Sequence, residues 1–160
     1  MPDPVPPASP LSRYARGRLV RTPNPDWAAE IGYSLEELDS MNRKAIALME
    51  EIREAYASGR PIVISGCVGP RGDAYSPAEL MTEEEAERYH SEQVSTFAGT
   101  AADMVTAMTL TYAEEAIGIA RAAGTGGLPA VISFTVETDG RLPSGQALIE
   151  AIRQVDRETG

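Results

Sequence analysis

The chain has 160 residues, 42% of them hydrophobic and only 6% aromatic, with a formal net charge of −10, which suits one core and leaves little room for a second. The acid excess argues against nucleic acid or an anionic membrane surface as partner, since phosphate binding draws on clustered Lys and Arg that release counterions. One cysteine, Cys67, excludes an internal disulfide, and no apolar run approaches the ~20 residues of a membrane span, so a reducing cytoplasm is the default compartment.

Met1 to Pro10 holds five prolines and reads as an extended arm; the basic, acid-free stretch Ser12 to Arg21 continues it as a solvated tail, with at most a short strand near Arg18 to Arg21. Residues 1–21 are therefore set apart from a domain over 22–160. Ser34-Leu-Glu-Glu37 is a capping box that starts a helix. Leu38, Met41, Ala45, Leu48, Ile52 and Ala55 recur at steps of three and four, so this stripe is expected to face the core. Gly59-Arg-Pro61 ends the helix and leads into a strand over Ile62 to Ser65.

Behind that strand comes Gly66-Cys-Val-Gly-Pro-Arg-Gly-Asp73, an apolar run ending in a Gly-rich turn that presents a thiol, an Arg and an Asp. Gly66, Gly69 and Gly72 permit close backbone approach or positive φ. Without a Lys-Ser/Thr ending they do not make a phosphate loop. After a Ser76-Pro77 loop, Thr82-Glu-Glu-Glu85 is a second capping box, and Ala86, Tyr89, His90, Val94, Phe97 and Ala101 mark the buried side of its helix. A second strand follows over Asp103 to Thr109, then a helix over Ala113 to Ala123 closed by Gly124-Thr-Gly-Gly127. A third strand runs from Ala130 to Val136, Asp139-Gly140 is a turn, and Leu148, Ala151, Ile152 and Val155 mark a last helix capped near Ser144. Strands alternating with helices give an α/β fold with a parallel sheet and right-handed crossovers. Three strands leave two open edges, through which such a module can self-associate or bind a partner.

Four segments together resemble the homocysteine S-methyltransferase family. They are Asn24-Pro-Asp-Trp27 with Ile31-Gly-Tyr-Ser34; Ser65-Gly-Cys-Val-Gly-Pro-Arg-Gly-Asp73; Thr109-Leu-Thr-Tyr-Ala-Glu-Glu-Ala-Ile-Gly118; and Ile132-Ser-Phe-Thr-Val-Glu-Thr-Asp-Gly-Arg-Leu-Pro-Ser-Gly145. The resemblance runs from about Thr22 to Gly160. It implies parallel βα units of a partial (β/α)8 TIM barrel, about strands three to five of eight, with the site at the carboxyl ends of the strands; complete barrels rarely fall below about 200 residues.

The resemblance further implies homocysteine and a methyl donor such as S-methylmethionine as partners, in methionine biosynthesis. Family members hold zinc through three cysteines beyond the fifth strand, and the metal lowers the pKa of the homocysteine thiol that attacks the donor methyl. Cys67 does not match a ligand position, so no metal ligand and no cofactor are expected within these residues. Met108 stands where some members carry a Glu toward the substrate amine, and its thioether is a poor hydrogen-bond partner for an ammonium. The expectation is thus a truncated, catalytically incompetent form of a methyltransferase, or a gene fragment.

No catalytic residue is assigned. The substrate-binding candidates are Cys67, Gly69, Arg71, Asp73, Thr109 and Glu137. Cys67 is either a reactive thiol or a small inert hydrophobe. Arg71 and Asp73 clamp a carboxylate and an amine, or pair with each other. Glu137 and Asp139 face a ligand, or Asp139-Gly140 simply turns the chain. His90, the lone histidine, is expected at a helix flank, Glu114 and Glu115 as acids favoured by a helix start, and Trp27 as a packing anchor.

Overall fold

Each of the two expected capping boxes starts a helix in the structure, a computed structural model that describes residues 24–56, 59, 61–75 and 80–160. The Pro-rich arm, the strand near Arg18, the Ser76-Pro77 loop and the Trp27 side chain lie outside the described residues. After a short helix α1 (Pro25–Glu30), Ser34 Oγ accepts from Glu37 N at 3.2 Å while Ser34 N donates to Glu37 Oε2 at 2.8 Å, opening α2 (Leu35–Ala55). Thr82 and Glu85 repeat the reciprocal pair at 3.2 and 2.8 Å to open α3 (Glu83–Ala98). Both pairs satisfy N–H groups that a helix start leaves open.

The sheet is three-stranded and wholly parallel, in the order β1 (Ser65–Val68), β2 (Met104–Leu110), β3 (Ala130–Phe134). Helix α3 connects β1 to β2, α4 (Ala113–Thr125) connects β2 to β3, and α5 (Leu148–Thr159) follows. Because the strands are laid down in sequence order, right-handed crossovers put α3 and α4 on the same face, where they pack extensively on each other. Val94 and Phe97 of α3, Val105, Ala107 and Leu110 of β2, and Ile117 and Ile119 of α4 form the centre of the core. The opposite face carries Ser65, Cys67, Thr106, Met108 and Val131, all partly or fully exposed. Cys67, Thr106 and Val131 stand in register across it, and the Ser65 and Thr106 hydroxyls lie 2.6 Å apart.

Several sequence expectations shift. The first strand occupies Ser65–Val68 instead of Ile62 to Ser65; just before it, Ile64 N donates to the Asp103 side chain at 2.7 Å while Ile64 O accepts from Asp103 N at 2.8 Å. Cys67 therefore lies within the strand. On α2 the buried line is Leu38, Asn42 and Ile46, while Met41 is 38% exposed and Ala55 is exposed. Two anchors set that rotation: the Thr96 hydroxyl donates to Asp39 Oδ1 at 2.6 Å, and Arg43 Nη1 donates to Gly99 O at 2.9 Å. They turn the Asp39–Arg43 side of α2 toward α3 and carry a polar amide inward in place of Met41. Ser144 does not cap the last helix, which starts at Leu148 behind Ala147 without a side-chain cap. Instead Ser144 N donates to Thr111 O at 3.3 Å, and Arg141 bridges Ala147, so the segment after β3 folds back over the end of β2.

Candidate functional site

The carboxyl ends of the three strands meet at one end of the sheet. Behind β1 the chain turns through Gly69, Pro70, Arg71, Gly72 and Asp73, with Gly72 at φ +76° where a side chain would be strained. Gly66 has a different need: a Cβ there would lie 2.5 Å from the Phe97 ring, so only glycine lets the strand approach α3 this closely.

The turn is gripped from two sides. On the outside, Arg71 Nε donates to Asp26 Oδ2 at 2.8 Å, and the guanidinium carbon stands 4.8 Å from the Tyr89 ring centroid, tying the turn to α1 and α3. On the inside, Arg71 N donates to Glu115 Oε1 at 2.7 Å, and His90 Nε2 lies 2.9 Å from the same oxygen. Glu115 is 0% and His90 1% exposed, so a carboxylate and an imidazole from two helices sit buried directly beneath the turn. The other oxygen, Oε2, has no hydrogen-bond partner among the described residues. Beside them Tyr112 accepts from Met81 N at 3.1 Å, and burial pushes its hydroxyl pKa up to about 12. Burial, reinforced by the Asp26 charge, likewise raises that of Tyr89.

At β2, Thr109 has φ 59°, and the β2–β3 register slips between Ala107 and Leu110. A β-branched residue in that region is strained by about 1–3 kcal/mol. At β3, the Thr135 hydroxyl donates to Ala74 O at 3.0 Å, joining the end of β3 to the segment after β1 across β2. Glu137 is exposed and opens a tight turn: Glu137 N donates to Arg141 O, Gly140 N to Glu137 O, and Arg141 N to Asp139 Oδ1 at 3.0 Å, with Gly140 at φ +79°. Asp139-Gly140 is the turn expected from the sequence.

Gly69, Arg71 and Asp73 therefore lie in the turn after β1, Cys67 one residue inside that strand on the open face, Thr109 at the bulge of β2, and Glu137 beyond β3. His90 lies on the buried side of α3, as the helical period placed it, and not at the flank. It is buried because α4 presents Glu115 to it. Glu115 is the residue that sequence reasoning passed over as a helix-start acid. Its signal was available: Glu115, Ile119 and Ala122 fall at steps of four and three on one buried line, so the acid sits on the apolar face of its own helix.

The homocysteine S-methyltransferase family model matches residues 22–160. The chain belongs to that family. Among solved structures, the metallated form of the Escherichia coli homocysteine methyltransferase MmuM superposes with a TM-score of 0.72 at 22% identity, covering 82% of this chain and 49% of that one. Its oxidized form gives 0.73 at 22% identity over 83% and 49%, and its apo form 0.67 at 22% over 79% and 48%. The chain thus spans about half the length of the solved structures it matches, and its sheet is a partial TIM-barrel-like fold. A comparison with curated proteins finds no match.

The family's zinc chemistry was tested against the residues present. Among the described residues no group of three or more His, Cys, Asp or Glu is placed to hold a metal ion. The sequence contains one cysteine and one histidine, the latter committed to Glu115. A three-thiolate site does not fit these residues, and no step is assigned through one.

Proposed function

We propose that this segment supplies part of the homocysteine-binding end of a methyltransferase in methionine biosynthesis. In that reaction the sulfur of homocysteine bonds to the methyl carbon of a sulfonium donor such as S-methylmethionine, the donor carbon–sulfur bond breaks with its electrons staying on the departing sulfur, and the thiol proton goes to solvent. Cys67, Gly69, Arg71, Asp73, Thr109 and Glu137 form the wall that meets the substrate, with the Gly69–Asp73 backbone as its most constrained part. The observation that carries this reading is the family match over 22–160 falling on the segments that converge at the carboxyl ends of the strands. The 160 residues alone are catalytically incompetent, because a three-cysteine zinc site needs thiols they do not contain. Cytoplasmic location accords with the single cysteine and with the lack, among the described residues, of a helix long and apolar enough to cross a membrane.

Calorimetric titration of the purified chain with L-homocysteine tests the reading. Binding with a Kd at or below about 1 mM, an interaction near 4 kcal/mol, is expected, with no methionine formed from added S-methylmethionine. Absence of binding refutes the substrate assignment; turnover with stoichiometric zinc refutes the incompetence.

A second reading, self-association through the sheet edge, is favoured by one feature. Beside β3 runs a groove of about 520 Å³ lined mainly by Ala130, Ile132, Phe134, Val136, Leu148 and Ile152, and β3 is an edge strand. Light scattering behind size exclusion should then report a dimer whose population rises with concentration; a monomer at all concentrations removes this reading.

A further inference from the structure

We propose that Glu115 is the positioning residue of this site: its buried carboxylate, steadied by His90, fixes the backbone of the turn after β1 in the conformation that receives ligand. The role deepens the homocysteine-binding reading and rests on it only for the ligand readout. At the far end of the turn Tyr75 N donates to Asp73 Oδ1 at 2.7 Å, and Thr135 holds Ala74 O. Gly69 and Gly72 give the turn freedom, and Gly72 holds a positive φ. Arg71 sits between them, and its amide is the point where the interior of the molecule takes hold of the turn.

The hold has three properties that a helix-start acid does not explain. Glu115 is wholly buried, although burying a carboxylate is costly unless partners compensate. Its bond goes to the backbone N–H of Arg71 at 2.7 Å, so it orients the main chain whatever the Arg71 side chain does. His90 comes from a different helix and aims at the same oxygen, which fixes the carboxylate between α3 and α4. A rigid pair of helices thereby sets the position of a glycine-flanked turn. The Arg71 side chain, held by Asp26 and partly exposed, grips the turn from the solvent side.

The test is amide hydrogen exchange by NMR on the full chain, with calorimetry for L-homocysteine. Glu115→Ala should speed Arg71 amide exchange at least tenfold relative to the amides of β2 and weaken homocysteine at least tenfold. Glu115→Gln keeps an acceptor oxygen without its charge, so it should speed that exchange less than Ala does and restore most of the affinity. Val155→Ala, which opens a void on α5 away from the turn, is the control: it should lower global stability while leaving the Arg71 exchange ratio unchanged. If Glu115→Ala does not fold, Glu115→Met, which fills the same space without an acceptor for Arg71 N, decides, and an unaltered Arg71 amide in that variant overturns the proposal. An Arg71 amide that responds equally to Val155→Ala also overturns it, since Glu115 would then be ordinary core. Should wild-type chain fail to bind homocysteine, the substrate reading falls while the exchange data still judge the positioning role.

Discussion

The seam between α3 and α4 closes at Gly118, and replacing it with alanine should open the molecule at its best-packed contact. A Cβ on Gly118 would stand 2.5 Å from both Ala86 Cβ and Glu87 N, and 2.7 Å from Ala86 C. Ordinary contact needs about 3.5–4.0 Å, so the helices must part by about 1 Å, a gap that forfeits a quarter to a half of the dispersion attraction per contact. Two of the three obstructing atoms are backbone, which no side-chain rotation relieves. The cost belongs at the upper end of the usual overpacking range, about 3 kcal/mol. Alanine returns about 1 kcal/mol of helix propensity. The net expectation is destabilisation by about 2 kcal/mol. Glu115 lies one turn earlier on the same helix, so its 2.7 Å bond to Arg71 N should lengthen as well. Gly124→Ala provides the opposite sign on the same helix: its Cβ would meet nothing within 4 Å, and only the propensity gain of about 0.5–1 kcal/mol remains. Urea denaturation followed by circular dichroism at unchanged m-value measures both. A Gly118→Ala variant as stable as the wild type would refute the close seam and the register of α4 on α3.

Asn42 is 1% exposed and, among the described residues, neither its Oδ1 nor its Nδ2 is bonded, so Asn42→Leu, of similar size, should stabilise the chain by about 1 kcal/mol in the same assay; a loss of stability would mean the amide has a partner. Thr109→Gly releases the strain at φ 59° but adds backbone entropy to the unfolded chain, so thermal unfolding should rise by a few degrees or less, about 0.5–1 kcal/mol, while homocysteine binding weakens as the bulge loosens. Bonds from Arg43 first, and from Thr96, hold the Asp39 carboxyl below its ordinary value of 3.8. A depressed pKa contributes stability that is present above the unfolded value and is lost as pH falls through the folded one. Asp39→Asn should therefore lower stability at neutral pH and flatten its decline below about pH 4; an unchanged acid limb would show that the Asp39–Thr96 contact carries no weight.

Chain order and the kind of each element from α2 onward were legible in the residues, whereas the short α1 was not read from them. Capping boxes at Ser34 and Thr82 act locally, through hydrogen bonds three residues apart, so no tertiary information is needed to read them. The βα alternation fixes a parallel sheet because few connections satisfy handedness and short loops together, and the Gly-rich run after β1 declares a turn. Placement of Cys67, Gly69, Arg71, Asp73, Thr109 and Glu137 near one end of the sheet follows from that alternation, since parallel strands all finish on the same side.

Rotation and partnership were not legible, because they depend on residues distant in the chain. Period alone gave α2 one apolar stripe through Leu38, Met41 and Ala45, and the shift to Leu38–Asn42–Ile46 accompanies bonds to Thr96 and Gly99 more than fifty residues away. The first strand lies nearer Cys67 than its β-branched run suggested, with Ile64 held just outside it by the backbone and side chain of Asp103, thirty-nine residues away. The helical period already put His90 on the buried side of α3, but Glu115 read as a helix-start acid; only the packing of α3 on α4 brings the two to 2.9 Å under the turn. Local chemistry therefore determined which elements form, and the tertiary structure decided which faces they bury and which polar groups meet, since burial is a property of the partner surface and not of the segment that carries it.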